Sequence, residues 1–387
     1  MQPHNRIKSA YRPNVTRWPG KTYFVILFTT IALLVAFTIS FFVILAVHKS
    51  FDDPKDDAPG GDVVNNVTKT GTKTKIKLPS VTSPGEFLST SAADVQNISG
   101  ISSEAAILVE IGSNVSVAEK NADVVIHPAS LTKIMTLLVA CENVKDPNKK
   151  LVVKQEMLDR RTELEGSGEL VDNTTVIDKN EDAVQIQIVG KAVTVEDALH
   201  LINYQSDTVA CLLIAELLGG EEAFVELMNQ KAETIGLTNT RFVNCTGLTE
   251  KSGAHNKTTA REMAAIMTCA LNNEVAKKII TGKEKYTVDI YENNKKTEYY
   301  IPFFADWYSR NTRLNNDPWA GDVKIQGGKT GYEDIPTSCF VTYGTSSESG
   351  KKYVCVTIGK LLGSESKGPN NAKSTEDMRK VYATYAE

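Results

Sequence analysis

The chain has 387 residues, 41% hydrophobic and 23% charged, enough to bury a sizeable core. A formal net charge of −4 gives no electrostatic footprint for nucleic acid, so nucleic-acid partners are excluded. None of the six cysteines falls in a C-x-x-C or Cys/His metal spacing, so no metal site is expected.

Residues 1–21 carry Arg6, Lys8, Arg12, Arg17 and Lys21 and no acidic residue, and Tyr23 to Val47 then contains no charge at all. That run is long enough to cross a bilayer as a helix. A secretory signal has a shorter apolar core and a small-residue cleavage site, and Leu45-Ala46-Val47-His48 is a poor one. The expectation is an N-terminal transmembrane helix at 22–48 that stays uncleaved, with the basic tail 1–21 cytoplasmic. The positive-inside rule places everything after His48 outside the cell membrane. Residues 49–100 are rich in Asp, Pro, Gly, Thr, Ser and Lys without helical or strand period, which reads as a flexible extracellular linker. The folded domain is expected over 101–387.

Within it, Ala105–Ile111 and Val115–Ala118 read as a hairpin around Gly112-Ser113-Asn114. A polar connection, Glu119 to Asp123, leads to His127-Pro128-Ala129-Ser130-Leu131-Thr132-Lys133 and an apolar run to Cys141. Leu131, Ile134, Leu138 and Cys141 recur at helical spacing, so a helix starts here with Ser130 in its first turn. Glu142 to Gly190 is largely polar, with one alternating strand at Val184–Ile188. Ala192 to Gly220 reads as two helices broken at Gln205-Ser206-Asp207, followed by helices at Glu221–Ile235 and Thr259–Leu271. Strands are expected at Val323–Gly331, Thr337–Tyr343 and Lys352–Ile358, and a last helix at Ser374–Ala386. Strands at both ends around central helices give an α+β domain. Cys141, Cys211 and Cys269 read as buried thiols, whereas Cys339 and Cys355 sit on neighbouring strands where pairing is an open alternative to simple packing.

Lys133 follows Ser130 by three residues, so the two share a helix face. A serine needs a base to become a nucleophile, and a lysine held neutral can be that base. The same S-x-x-K spacing recurs at Ser349…Lys352 and Ser364…Lys367, but in polar, glycine-containing loops with no apolar helix behind them. Ser206-Asp207-Thr208 lies at a helix break, where a hydroxyl can relay protons and an aspartate can cap the next helix. Gly327-Gly328-Lys329-Thr330-Gly331 puts a lysine and a threonine on a strand whose glycines admit a close substrate backbone. Lys69-Thr70-Gly71 spells the same tripeptide, but in the linker.

Helix-borne S-x-x-K, helix-junction S-x-T and strand-borne K-T-G, in that order, resemble the penicillin-recognising serine enzymes. The flanking strings resemble one branch, the D-alanyl-D-alanine carboxypeptidases or low-molecular-weight penicillin-binding proteins. They are Pro128 to Thr136, Val195 to Leu199, Ala223 to Asn229, Asn244 with Gly247-Leu248, His255 with Thr258-Thr259-Ala260, and Gly327 to Tyr332. The resemblance implies a β-lactamase/D,D-peptidase-like fold, with an antiparallel sheet flanked by helices and a mostly helical subdomain. It implies Ser130 as acylated nucleophile, Lys133 as general base and Ser206 as proton relay. Lys329, Thr330, Gly331 and Thr208 would bind substrate, and the backbone N–H groups of Ser130 and Tyr332 would form the oxyanion hole. The implied substrate is a peptidoglycan stem peptide ending in D-Ala-D-Ala, with β-lactam antibiotics as covalent inhibitors and no cofactor.

Two departures stand out. Thr208 replaces the family's usual Asn, which shortens the reach of that group. The sequence ends at Glu387, soon after the strand pair, without the β-rich domain and amphipathic helix of many members, and the N-terminal run is expected to serve as tether. The alternatives are a non-catalytic penicillin-binding sensor and a class A-like β-lactamase. The latter needs a Glu-x-x-x-Asn arrangement after the second motif, which no glutamate from Glu216 to Glu284 starts.

Overall fold

The computed structural model describes residues 95–113, 115–165, 173–282, 286–301, 319–333 and 337–386. The basic tail, the uncharged run and nearly all of the linker, including Lys69-Thr70-Gly71, lie outside them. Among the described residues no helix is long and apolar enough to cross a membrane.

Strand β1 (Gln96–Asn97) is followed by the expected hairpin, β2 (Ala105–Ile111) and β3 (Val115–Lys120). A 3₁₀ turn at Ala129–Leu131 leads into α1 (Thr132–Asn143). Next come β4 (Lys150–Val152), α2 (Gln155–Glu165), β5 (Asn173–Ile177), β6 (Ala183–Gln187) and β7 (Ala192–Thr194). Helices α3 (Val195–Tyr204), α4 (Thr208–Leu217), α5 (Glu221–Thr234), α6 (Ala260–Asn272) and α7 (Glu274–Ile280) follow. The chain then forms β8 (Tyr286–Glu292), β9 (Lys295–Ile301), β10 (Trp319–Ala320), β11 (Val323–Glu333), β12 (Thr337–Ser346), β13 (Lys352–Ile358) and α8 (Asn371–Tyr385).

The strands make two sheets. A seven-stranded sheet runs β1-β3-β2-β13-β12-β11-β10, antiparallel except for the parallel β1–β3 pair, and a six-stranded sheet runs β4-β7-β8-β9-β5-β6. Helices α6 and α8 pack on β13 and β2 of the larger sheet, and α1 packs on α3, α5 and α6. The α+β class therefore holds, with a second sheet that the sequence reading did not contain.

One expectation is corrected and two open points are resolved. The folded part begins ahead of residue 101, because Gln96 pairs with Ala118 and Ile98 is buried beside them. The polar stretch after Glu142 is structured: α2 buries Met157, Leu158, Arg161 and Leu164 at helical spacing. Cys339 and Cys355 do not pair; Cys339 faces Ile358 and Cys355 faces Thr342 across β12–β13, which offsets the two thiols along the sheet. Cys211 and Cys269 are buried thiols as expected, while Cys141 is only half-buried.

The segment that delivers Ser130 is pinned from α6. Thr259 caps this helix, as expected, by accepting from the Glu262 amide at 3.0 Å. Arg261 in its first turn donates from Nη1 and Nη2 to both Glu119 oxygens at 2.7 Å, and from Nε to Asp123 Oδ1 at 2.6 Å. Its amide donates to the Ala122 carbonyl at 3.1 Å. The guanidinium is buried and Asp123 is solvent-facing, so the Glu119 half carries most of the energy. Arg261→Met is expected to lower stability by about 2 kcal/mol, read as a lower urea midpoint with unchanged slope.

Candidate active site

Ser130 sits in the 3₁₀ turn just ahead of α1, one element earlier than a simple helix start predicts. The turn is strained. Ala129 has φ of +47°, a left-handed conformation that costs a residue with a side chain about 1–3 kcal/mol. Its neighbours hold it there. The Ala129 amide donates to His127 Nδ1 at 3.1 Å. A Cβ on Gly247, itself at φ +83°, would stand 1.9 Å from the Ala129 carbonyl oxygen. A Cβ on Gly331 of β11 would stand 3.2 Å from the Pro128 carbonyl and 2.6 Å from Cys339 Sγ. At Gly247 only hydrogen lets the loop close on the turn, and at Gly331 a side chain would crowd the turn and overlap Cys339.

Lys133 is buried, and its Nζ donates to the Thr246 carbonyl at 2.6 Å and to Ser130 Oγ at 3.2 Å. Thr246 belongs to a loop folded around Asn244. Asn244 Oδ1 accepts from the amides of Thr246 (3.2 Å) and Gly247 (2.9 Å). Its Nδ2 donates to the Leu248 carbonyl and to Glu250, both at 2.8 Å. Arg160 on α2 grips Glu250 from Nη1 at 3.0 Å and Nη2 at 2.8 Å, and donates from Nε to Glu221 at 2.9 Å. Asn256 Nδ2 donates to Thr132 Oγ1 at 3.0 Å, tying the same loop to the start of α1. The sequence pointed to Asn244 without a role and missed Arg160 and Glu250, which are far apart in the chain and ordinary in composition.

Ser206 occupies the expected break between α3 and α4, with φ of +57°. Asp207 performs the capping, its Oδ1 accepting from the Ala210 amide at 2.8 Å. The Ser206 hydroxyl is buried and makes no hydrogen bond among the described residues. Burial raises the Asp207 carboxyl, against the Ala210 amide and the nearby positive charges of Arg161 and Lys133. Thr208 opens α4 and is buried.

On β11 the side chains alternate, with Lys329 and Gly331 buried and Tyr332 64% exposed. Lys329 Nζ donates to the Thr330 carbonyl at 2.9 Å. Burial, reinforced by the charge of Lys133, lowers its pKa to about 7. The three stretches thus converge: Ser130 and Lys133 by a hydrogen bond, Lys329 and Asp207 through the field of Lys133, and Gly331 by backbone packing on the serine turn. A hydroxyl beside a buried amine, a second uncommitted hydroxyl and a buried cation form a constellation suited to acyl transfer onto serine from a carboxylate-bearing substrate.

Gly247→Ala is expected to destabilise far more than Gly350→Ala. Both have positive φ, +83° and +72°, but a Cβ at Gly350 meets nothing within 4 Å. Gly350→Ala should cost about 1 kcal/mol, the backbone term alone, and Gly247→Ala at least twice that by thermal melts.

A family model described as D-alanyl-D-alanine carboxypeptidase matches residues 90–361. D-alanyl-D-alanine carboxypeptidase DacF of Bacillus subtilis is 28% identical over 283 residues, 73% of this chain and 62% of that protein. DacC of Escherichia coli is 30% identical over 232 residues, 60% of this chain and 50% of that protein. A D-alanyl-D-alanine endopeptidase of Escherichia coli is 27% identical over 261 residues, 67% of this chain and 72% of that protein. The chain spans between half and two thirds of the length of the first two relatives. Among solved structures, a Mycobacterium tuberculosis D-alanyl-D-alanine carboxypeptidase superposes with TM-score 0.53 at 22% identity, covering 74% of this chain and 92% of that one. A Streptomyces DD-transpeptidase variant superposes with TM-score 0.56 at 18% identity, covering 73% and 97%. These likenesses show a shared fold.

Proposed function

The chain belongs to the D-alanyl-D-alanine carboxypeptidase family, and we propose that it is a serine-type carboxypeptidase removing the terminal D-alanine from peptidoglycan stem peptides. The observation that carries this reading is Lys133 Nζ within 3.2 Å of Ser130 Oγ, on a turn against which the Lys329–Gly331 strand is packed.

The terminal carboxylate of D-Ala-D-Ala binds at the Lys329 ammonium and the Thr330 hydroxyl, and the peptide backbone lies along Gly331 with Thr208 facing it. Lys133, in its neutral form, takes the proton from Ser130 as Oγ attacks the carbonyl carbon. The N–H groups of Ser130 and Tyr332 stabilise the tetrahedral oxyanion, worth roughly 10²–10³ in rate per donor. Ser206 passes its hydroxyl proton to the departing amine and is reprotonated by Lys133, which becomes neutral again; the C–N bond breaks and D-alanine leaves. Water then attacks the Ser130 ester, its proton returning through Lys133, and releases the shortened peptide. A β-lactam acylates Ser130 by the same attack and opens its ring. The uncharged run Tyr23–Val47 beside a basic tail supports a single-pass tether that holds this unit at the outer face of a membrane.

Incubation with a peptide ending in D-Ala-D-Ala is expected to release D-alanine, with penicillin turnover slow by comparison. Ser130→Ala should abolish release; release that persists in Ser130→Ala contradicts the reading, and fast penicillin turnover points to the β-lactamase.

The binding role of Lys329 has its own pH signature. Only the ammonium form holds a carboxylate, so affinity is full below a pKa of about 7 and lost above it. In the Ser130→Ala protein, the Kd for a D-Ala-D-Ala peptide should rise about fivefold between pH 7 and pH 8. Calorimetry with the C-terminal amide of the same peptide should show weak binding without that pH dependence.

A further inference from the structure

A chain of hydrogen bonds outside the three motifs joins the serine turn to the end of β11. His127 is buried two residues before Ala129, and its Nδ1 accepts from the Ala129 amide at 3.1 Å. Its Nε2 lies 3.2 Å from Thr249 Oγ1. Thr249 donates to Glu333 twice, from its amide to Oε1 and from its hydroxyl to Oε2, each at 3.2 Å. The carboxylate only accepts, so the Thr249 hydrogen goes to Glu333 and the Thr249 oxygen accepts from His127. One tautomer satisfies every link, with the hydrogen on Nε2 and a bare Nδ1. Protonating Nδ1 would set a donor against the Ala129 amide. Burial, with the His255 ring 4.9 Å away, holds the His127 pKa down at about 4, so the neutral ring persists at working pH.

The ends of this chain are what give it a consequence. Ala129 immediately precedes Ser130 and is the residue held at φ +47°. Glu333 immediately follows Tyr332. The strap therefore spans the two backbone segments whose N–H groups must meet one oxygen atom, and it does so without touching that atom. We propose that His127, acting through Thr249 and Glu333, is a positioning residue that sets the spacing of the Ser130 and Tyr332 amides for acyl transfer, an inference that rests on the carboxypeptidase reading given above.

The consequence is specific. Loosening the strap should slow acylation, because oxyanion stabilisation exists only in the transition state, and should leave ground-state binding at Lys329 intact. His127→Phe keeps the ring volume and removes both hydrogen bonds. His127→Asn keeps the first link, because an asparagine side chain accepts readily from the amide two residues on. Glu333→Gln leaves His127 in place and removes the charged acceptor at the other, half-exposed end.

The test measures acylation by benzylpenicillin and D-alanine release, with kcat and KM separated, in wild type and the three variants, alongside melting temperatures. The expected result is a fall in kcat and in acylation rate of ten- to a hundredfold for His127→Phe with KM within twofold. Glu333→Gln should fall severalfold, and so should His127→Asn, which keeps the Ala129 link but loses the one to Thr249. Rates per folded molecule equal to wild type in both His127→Phe and Glu333→Gln, whatever their melting temperatures, would overturn the proposal. So would a loss confined to KM. An inactive wild type would instead overturn the carboxypeptidase reading itself. If His127→Phe fails to fold, Glu333→Gln and His127→Asn still decide the matter.

Discussion

A buried lysine side chain dictates the surroundings of Ser130. Taking Lys133 out of water has a large desolvation cost unless its hydrogens find oxygen. The Thr246 carbonyl at 2.6 Å and the Ser130 hydroxyl at 3.2 Å supply two such partners. The carbonyl can be there only because the loop turns back around Asn244, and that loop stays put because Arg160 clamps Glu250. Helix α2, on the far side of the loop, thus contributes to the placement of an amine it never touches.

Backbone proximity is the second constraint. Gly247 approaches the serine turn so closely that a methyl group there would displace it, and one at Gly331 would crowd the turn and collide with Cys339. Ala129 and Ser206 both hold left-handed conformations that a residue with a side chain adopts at a cost. Each sits at a point where the chain presents a hydroxyl, and each is over-determined by what surrounds it. Ala129 is held by His127 and Gly247, and Ser206 is held between a helix that ends at Tyr204 and a helix capped by Asp207. Folding energy is spent there on aiming side chains.

Much of this was legible in the sequence, for physical reasons. Helices α1, α3, α4, α5 and α6 are apolar runs or amphipathic stretches, and α3, α4 and α6 carry side-chain caps at Thr194, Asp207 and Thr259, so their limits fall within a few positions of expectation. The hairpin β2–β3 and the strands β11 to β13 are alternating or continuous apolar runs. Ser130, Lys133, Ser206 and Lys329 stood out by spacing and order, and the fold brings their segments together. The β8–β9 hairpin was missed, although its signal is present. Tyr286, Val288 and Ile290 alternate ahead of Asn293-Asn294, whose φ values of +49° and +65° make the tight turn. Helix α2 was hidden by its charge. What no pattern could supply are links between distant polar residues, such as Arg160 with Glu250 or His127 with Thr249 and Glu333. No periodicity encodes them, because each depends on where separate elements meet.

The proposed function requires Ser130 to be the nucleophile of a site assembled from three separate stretches. The most direct test is to treat the protein with benzylpenicillin, digest it and map the covalent adduct by mass spectrometry. A single penicilloyl group on the peptide containing Ser130, absent when Lys133 is replaced by alanine, is the predicted result. An adduct on Ser206, Ser349 or Ser364, or a Ser130 adduct that forms as fast without Lys133, would contradict it.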